Sequence, residues 1–167
     1  GRWGFPAIED RPNWFFAALS NFLGNNRDKL MEFALQREQE FKSATIVKPG
    51  SDVPVVDERL RRSKTLDQLG PLEAEFDQKI KQVLPDVLSR LGLHGFPLGR
   101  IEVQITSSGD GDYFRMHRDG DTASTRELSF VYFFYREPRR FSGGELRIFD
   151  NETVNGKSVP TDRSQTL

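Results

Sequence analysis

The segment GDYFRMHRDGD, residues 111–121, contains a histidine and an aspartate separated by one residue. In an extended strand, side chains at positions i and i+2 lie on the same face, about 6.6 Å apart along the strand. His117 and Asp119 would then point the same way, with Arg118 facing the other way. An imidazole nitrogen and a carboxylate oxygen suit Fe(II), Mn(II) or Zn(II), and one more histidine would complete a facial triad. The spacing raises the hypothesis that His117 and Asp119 are catalytic metal ligands.

By itself this pattern is weak, because a histidine and an aspartate with one residue between them often occur by chance. On the tripeptide alone, a surface histidine beside an aspartate in a polar turn is the better interpretation. The sequence on either side changes this balance.

Alternating apolar residues predict strands around the pair. RIEVQIT, residues 100–106, alternates as a half-buried strand does, and SSGDGD after it predicts a turn. YFRMHRD, residues 113–119, can form a second strand. LSFVYFFY, residues 128–135, is rich in aromatic residues, includes a β-branched valine and gives the strongest strand signal. ELRIFD, residues 145–150, predicts another short strand.

The first half of the chain has a helical pattern. We expect a helix from Pro12-Asn13 to Gly24, a second from Arg27 to Lys42, and a long one that starts at Pro71 with a regular apolar stripe. Residues 44–70 are expected to be irregular, with a short strand in ERLRRSKTL, residues 58–66. The basic residues of that segment are most simply explained as a solvent-exposed face.

Composition limits the class of protein. The chain has 167 residues, 36% hydrophobic and 29% charged, with a formal net charge of −1, which fits one globular domain and gives no overall field that favours nucleic acid or an anionic membrane. A local basic patch is not excluded. No apolar run is long enough to span a bilayer. The absence of cysteine excludes thiolate ligands and suits a reducing compartment, so we expect a cytoplasmic protein.

Three blocks, in order, resemble the Fe(II)/2-oxoglutarate-dependent dioxygenases of the prolyl 4-hydroxylase-like branch. RIEVQITSSGDGDYFRMHRD resembles the family's strand, glycine turn and His-x-Asp, RELSFVYFF the arginine-led strand that follows, and FSGGELRIFD the Gly-Gly hairpin with its strand. The resemblance implies an α+β fold: a double-stranded β-helix (jelly roll) with supporting N-terminal helices. We expect one domain over residues 1–167, with a mainly helical support region at 1–98 and an incomplete jelly-roll core at 99–167.

The resemblance also implies the chemistry. His117 and Asp119 would bind Fe(II), 2-oxoglutarate would be the cosubstrate, and ascorbate is a possible additional cofactor. The cosubstrate would be decarboxylated to succinate while a substrate is hydroxylated. Alternation along residues 128–135 places Ser129 and Tyr135 on one face, and we expect these two and Arg126 to contact the cosubstrate. Arg126 has two equally good interpretations, which are contact with the cosubstrate and capping of the strand edge. The substrate would be a prolyl or similar side chain, or a small molecule.

The pattern departs from the family at two points. The family takes its third ligand, a histidine, from a later strand, and its basic anchor for 2-oxoglutarate follows; here no histidine follows His117. We therefore expect that C-terminal strands are missing from this sequence. His94 is better explained as a helix C-terminal residue than as a substitute ligand. A non-catalytic jelly-roll binding module is the alternative to a dioxygenase, and a cupin-type enzyme with a different metal is a third, weaker hypothesis.

Overall fold

A computed structural model describes residues 27–48, 50–51, 53–119, 126, 128–155 and 157–166. The helix predicted from Pro12-Asn13 to Gly24 lies outside these residues. The described helices are α1 (Arg27–Gln36), a 3₁₀ turn (Glu38–Glu40) and α2 (Pro71–Arg90). Neither α1 nor α2 has the length and apolarity that a bilayer-spanning segment needs.

The strands are short until the last two, and all pair antiparallel. They are β1 (Lys42–Ser43), β2 (Ile46–Val47), β3 (Pro54–Val55), β4 (Arg61–Arg62), β5 (Lys64–Leu66), β6 (Ile105–Ser107), β7 (Tyr113–Phe114), β8 (Arg147–Val154) and β9 (Lys157–Thr166). One sheet has the order β1-β5-β6, and β2-β3, β4-β7 and β8-β9 are separate pairs.

Helix α2 follows the sequence prediction closely. Pro71 stands in its first turn, where a missing N–H costs nothing, and the chain leaves the helix at Leu91 before Gly92, which has φ +65°. The predicted stripe is buried in part, through Leu72 and Phe76 near the start of the helix and Val87 and Leu88 near its end. Pro85 lies inside the helix, which continues past it to Arg90.

The main core forms where the two helices cover the β1-β5-β6 sheet. Its buried members come from α1, β5, the turn before α2, α2 itself and β6: Leu30, Leu66, Leu69, Leu72, Phe76 and Ile105. Val103 and Ile105 both face this core, as the alternation in RIEVQIT predicts. Burying this apolar surface fixes β6, and β6 leads directly into the turn that precedes the His-x-Asp segment.

Three predicted boundaries are wrong. The helix from Arg27 ends at Gln36 and not at Lys42, because Lys42 pairs with Thr65 as part of β1. In the segment RIEVQIT only its end, in β6, has a strand partner, and in residues 113–119 only β7 does. These segments have the side-chain pattern of longer strands, but a strand extends only as far as a neighbouring backbone pairs with it.

The segment at residues 128–135 keeps the alternation of a strand but forms no strand in the described structure. Tyr132 and Phe134 pack against the core, whereas Val131 and Phe133 are exposed. Nearby, β8 pairs with β9 and not with this segment. The described residues therefore form an α+β structure with small antiparallel sheets, and closure into a double-stranded β-helix stays a prediction.

Candidate metal centre

The turn after β6 sets the direction of the chain toward the His-x-Asp segment. Asp112 closes it, accepting a hydrogen bond through Oδ2 from the Gly109 N–H (2.8 Å), while its own N–H donates to the Gly109 carbonyl (3.2 Å). Gly111 has φ +70°, a conformation that glycine adopts without a Cβ penalty. Arg62 binds this turn through the Gly111 carbonyl and the Asp112 carboxylate. The aspartates and glycines of SSGDGD therefore make a turn, as the sequence predicts.

The His117 ring is held through both of its nitrogens. Nδ1 lies 2.8 Å from the carbonyl oxygen of Arg115, and Nε2 lies 3.2 Å from Oδ1 of Asp119. Because a carbonyl oxygen can only accept a hydrogen bond, Nδ1 must be the donor. When the imidazole is protonated, Nε2 donates to the Asp119 carboxylate, whereas in the neutral imidazole Nε2 carries the lone pair that a metal would need.

Asp119 is held by contacts to its side chain and to its backbone. Its carboxylate interacts with His117 and with the Ser129 hydroxyl, and its carbonyl accepts a hydrogen bond of 2.8 Å from Nη1 of Arg126. Nη2 of Arg126 donates to Glu102 at 3.0 Å, which ties the backbone of Asp119 to the segment before β6. Three sequence-predicted residues, Asp119, Ser129 and Arg126, are therefore in contact.

The electrostatics of the pair follow from these contacts. The hydrogen bond from His117, with smaller contributions from Ser129 and Arg126, lowers the pKa of Asp119 from 3.8 to about 2. The same hydrogen bond raises the pKa of His117 against the opposing effect of burial. About two-fifths of the His117 side chain and half of the Asp119 side chain remain exposed, so the pair is open to solvent on one side.

The facing atoms of the pair suit a ferrous ion. Two ligand bonds of about 2.1 Å at a right angle place the ligand atoms about 3.0 Å apart. The 3.2 Å between Nε2 of His117 and Oδ1 of Asp119 is close to that separation. In the part of the chain that the structure describes, no three histidine, cysteine, aspartate or glutamate side chains cluster as a metal site would require. The residues present therefore fit two coordination positions.

A stack of side chains backs the His117 ring. The Phe114 ring lies parallel to it, with centroids 3.5 Å apart and planes 15° apart. The guanidinium of Arg61, the β-ladder partner of Phe114, lies 4.7 Å from the centre of the Phe114 ring. The imidazole is thus fixed by a flat apolar neighbour as well as by its two polar contacts.

The described contacts of Tyr135 are not with the His117–Asp119 pair. Its ring meets the edge of Phe141 at 5.6 Å and the guanidinium of Arg139 at 5.8 Å. It also lines a cavity of about 400 Å³ that includes Met31 and Leu35 of α1. The predicted site residues therefore divide: His117, Asp119, Ser129 and Arg126 form one group, and the described contacts of Tyr135 lie outside it. His94 is exposed after the end of α2.

Comparison with known proteins found a match to the segment that contains His117, Asp119, Arg126 and Ser129. Residues 103–166 match the family model of the 2OG-Fe(II) oxygenase superfamily. An uncharacterized PKHD-type hydroxylase of Synechocystis sp. (strain ATCC 27184 / PCC 6803 / Kazusa) is 34% identical over 158 residues, which cover 91% of this chain. The resemblance to the 2OG-Fe(II) oxygenases, of prolyl hydroxylase-like type, is confirmed. All five predicted site residues lie within the matched residues, 103–166, as do Phe114 and Arg115.

The chain spans about half the length of this relative, 50%. No solved structure matches the chain at a significant level. The name of the 2OG-Fe(II) oxygenase superfamily identifies the two reagents its members use, ferrous iron and 2-oxoglutarate.

Arg61 belongs to the surroundings of the His117–Asp119 pair but was not predicted to. The basic run of residues 58–66 was expected to be exposed, but Arg61 is only 9% exposed. Two signals were available: the strand predicted there alternates, so Arg61 and Arg62 must face opposite ways, and Phe114 stands directly before the RMHRD segment. Which of the two arginines faces inward depends on the pairing of β4 with β7, which is a long-range contact.

Proposed function

We propose that the protein is an Fe(II)- and 2-oxoglutarate-dependent dioxygenase in which His117 and Asp119 are two of the iron ligands. The observation that carries this proposal is the approach of Nε2 of His117 to Oδ1 of Asp119, at 3.2 Å, within the segment matched by the family. A closed jelly roll around this pair, a cytoplasmic location and the use of ascorbate belong to the same proposal.

Each contact of the pair has a role in this function. The Arg115 carbonyl holds the proton on Nδ1 of His117, which leaves Nε2 free to bind a metal. The Ser129 hydroxyl and Arg126 hold Asp119 ionised and in place. When bound, the iron and 2-oxoglutarate together would supply the oxidising chemistry that side chains lack.

For the substrate, we propose a prolyl or similar side chain, or a small molecule of similar apolar character. Ser129 shares the outward face of its segment with Val131 and Phe133, which are 43% and 49% exposed. Apolar side chains on the face that meets Asp119 would favour a substrate with an apolar ring or chain. The relative's name, a PKHD-type hydroxylase, agrees with hydroxylation as the reaction.

The test measures succinate formed from 2-oxoglutarate by the full-length protein with Fe(II) and a panel of proline-containing peptides. We expect His117→Ala and Asp119→Ala to lower succinate to background, because each removes a ligand atom. His94→Ala is the matched control, since it removes the other histidine of this chain, and it should keep wild-type turnover.

Equal turnover by wild type and His117→Ala would contradict the ligand assignment. Folded wild-type protein that neither binds Fe(II) nor forms succinate would favour the alternative, a non-catalytic jelly-roll binding module.

A further inference from the structure

Arg61 is a buried cation whose hydrogen bonds all end on neutral oxygens. Its guanidinium donates to Oγ of Ser63 (3.1 Å), to the carbonyl of Thr45 (3.4 Å) and to Oγ1 of Thr106 (3.2 Å). Within the described structure no carboxylate lies within ion-pair distance of it, although the carboxylates of Asp67 and Asp119 attract it at longer range. Burial makes the charged form costly, so the cation is held here by its hydrogen bonds and by this longer-range attraction.

The remaining contact of Arg61 leads to the candidate metal centre. Its guanidinium lies over Phe114, and Phe114 stacks on His117. Ser63, Thr45 and Thr106 belong to or adjoin three different strands, so the guanidinium is fixed from several sides. A fixed cation over its face would hold the Phe114 ring in one plane.

The plane of the Phe114 ring matters because it sets the plane of the imidazole. The two rings are 15° from parallel, and the lone pair of Nε2 lies in the plane of the imidazole. A tilt of the His117 ring would turn Nε2 away from Asp119, and the stacked Phe114 ring opposes that tilt. The stack therefore adds to the two polar contacts in holding the plane of the imidazole.

We propose that Arg61 is a positioning residue that acts through Phe114 to hold the His117 imidazole in the orientation a metal ligand requires. Its effect on iron rests on the proposed function. Its effect on the ring orientation does not, because the stack of Arg61, Phe114 and His117 consists only of residues of this chain.

The same strand pair provides a matched control. One step along the β4-β7 ladder, Arg62 pairs with Tyr113, and its guanidinium lies 5.4 Å from the centre of that ring. This second cation–ring pair alternates to the opposite face, and Tyr113 donates its hydroxyl proton to the Glu58 carbonyl at 2.6 Å. Arg62→Met and Arg61→Met are thus the same chemical change on opposite faces of one strand. Arg62→Met also removes the contacts of Arg62 to Gly111 and Asp112, so it measures the effect on His117 of loosening the turn without touching the Phe114 stack.

The experiment records the imidazole proton signals of His117 by NMR in the metal-free, full-length protein, and then the Fe(II) affinity by anaerobic calorimetry. In the wild type, stacking on Phe114 should shift these signals upfield from those of a free histidine. Arg61→Met should move them back toward the free position and weaken Fe(II) binding by about 10- to 100-fold, the usual effect of losing a residue that orients a ligand. Arg61→Lys, which keeps a cation near the ring, should recover part of both.

Two results would overturn the proposal. One is that the His117 signals of folded Arg61→Met, or of Arg61→Lys if the first variant does not fold, shift no more than those of Arg62→Met. The other is that the signals shift while Fe(II) affinity stays at the wild-type value. Failure of the proposed function gives a different result, because Fe(II) affinity would then be unchanged in His117→Ala as well.

Discussion

Replacing His117 with alanine should raise the pKa of Asp119. The carboxylate has a pKa of about 2 against an ordinary 3.8, and the hydrogen bond from His117 is the largest cause of this difference. Ser129 and Arg126 remain in the variant, so we expect the pKa to move most, but not all, of the way back to 3.8. Ser129→Ala should raise it by less, because that hydroxyl contributes less.

The energy involved can be worked from the same values. A fall from 3.8 to about 2 corresponds to about 2 kcal/mol at full strength. The Asp119 side chain is 49% exposed and water screens the interaction, so we expect about 1 kcal/mol of folding stability. Because the pKa of Asp119 is lowered and the pKa of His117 is raised in the folded state, this contribution is present between pH 3.8 and the pKa of His117. It is lost as the pH falls toward 2 and as His117 deprotonates.

The assay is a carboxyl-carbon NMR titration of the metal-free protein with a chelator present, together with denaturant unfolding at pH 6 and pH 3. Wild-type stability should fall more between these two values than that of His117→Ala. An Asp119 that titrates near 3.8 in the wild type, or at the same pH in both proteins, would refute the reasoning.

Three further predictions concern the frame around the centre. Leu69→Ala should lower the free energy of unfolding in a denaturant titration by about 3 kcal/mol, because Leu69 is fully buried in the main core. Gly111→Ala should cost about 1–2 kcal/mol for its positive φ. The new Cβ would also displace the flexible end of Arg62 and with it the hydrogen bonds of Arg62 to this turn. Gly50→Ala, with φ +77° and open space around it, should show the backbone cost alone. Pro85→Ala should raise the thermal midpoint, since it restores a helical N–H inside α2 at an exposed position; an unchanged or lower midpoint would contradict this.

The parts of the fold that depend on local pattern could be predicted from the sequence. The α2 stripe, its start at Pro71 and the Asp–Gly turn before the His-x-Asp segment all depend on residues close together in the chain, and each is found in the structure. The inward side of RIEVQIT was also predictable, because alternation decides which face is apolar.

The parts that depend on long-range pairing could not be predicted. The apolar run at residues 128–135 has the pattern of a strand, yet β8 pairs with β9, and no local signal decides between such partners. The inward position of Arg61 likewise depends on the register of β4 with β7, across more than fifty residues of sequence. The environment of the centre is therefore harder to predict than its His-x-Asp motif.

The most direct test of the iron site is anomalous scattering at the iron edge from crystals of the full-length protein grown with Fe(II) under anaerobic conditions. We expect one peak within bonding distance of both Nε2 of His117 and Oδ1 of Asp119. A peak bound to other residues, or no peak beside a well-ordered His117, would contradict the assignment of these two side chains as iron ligands.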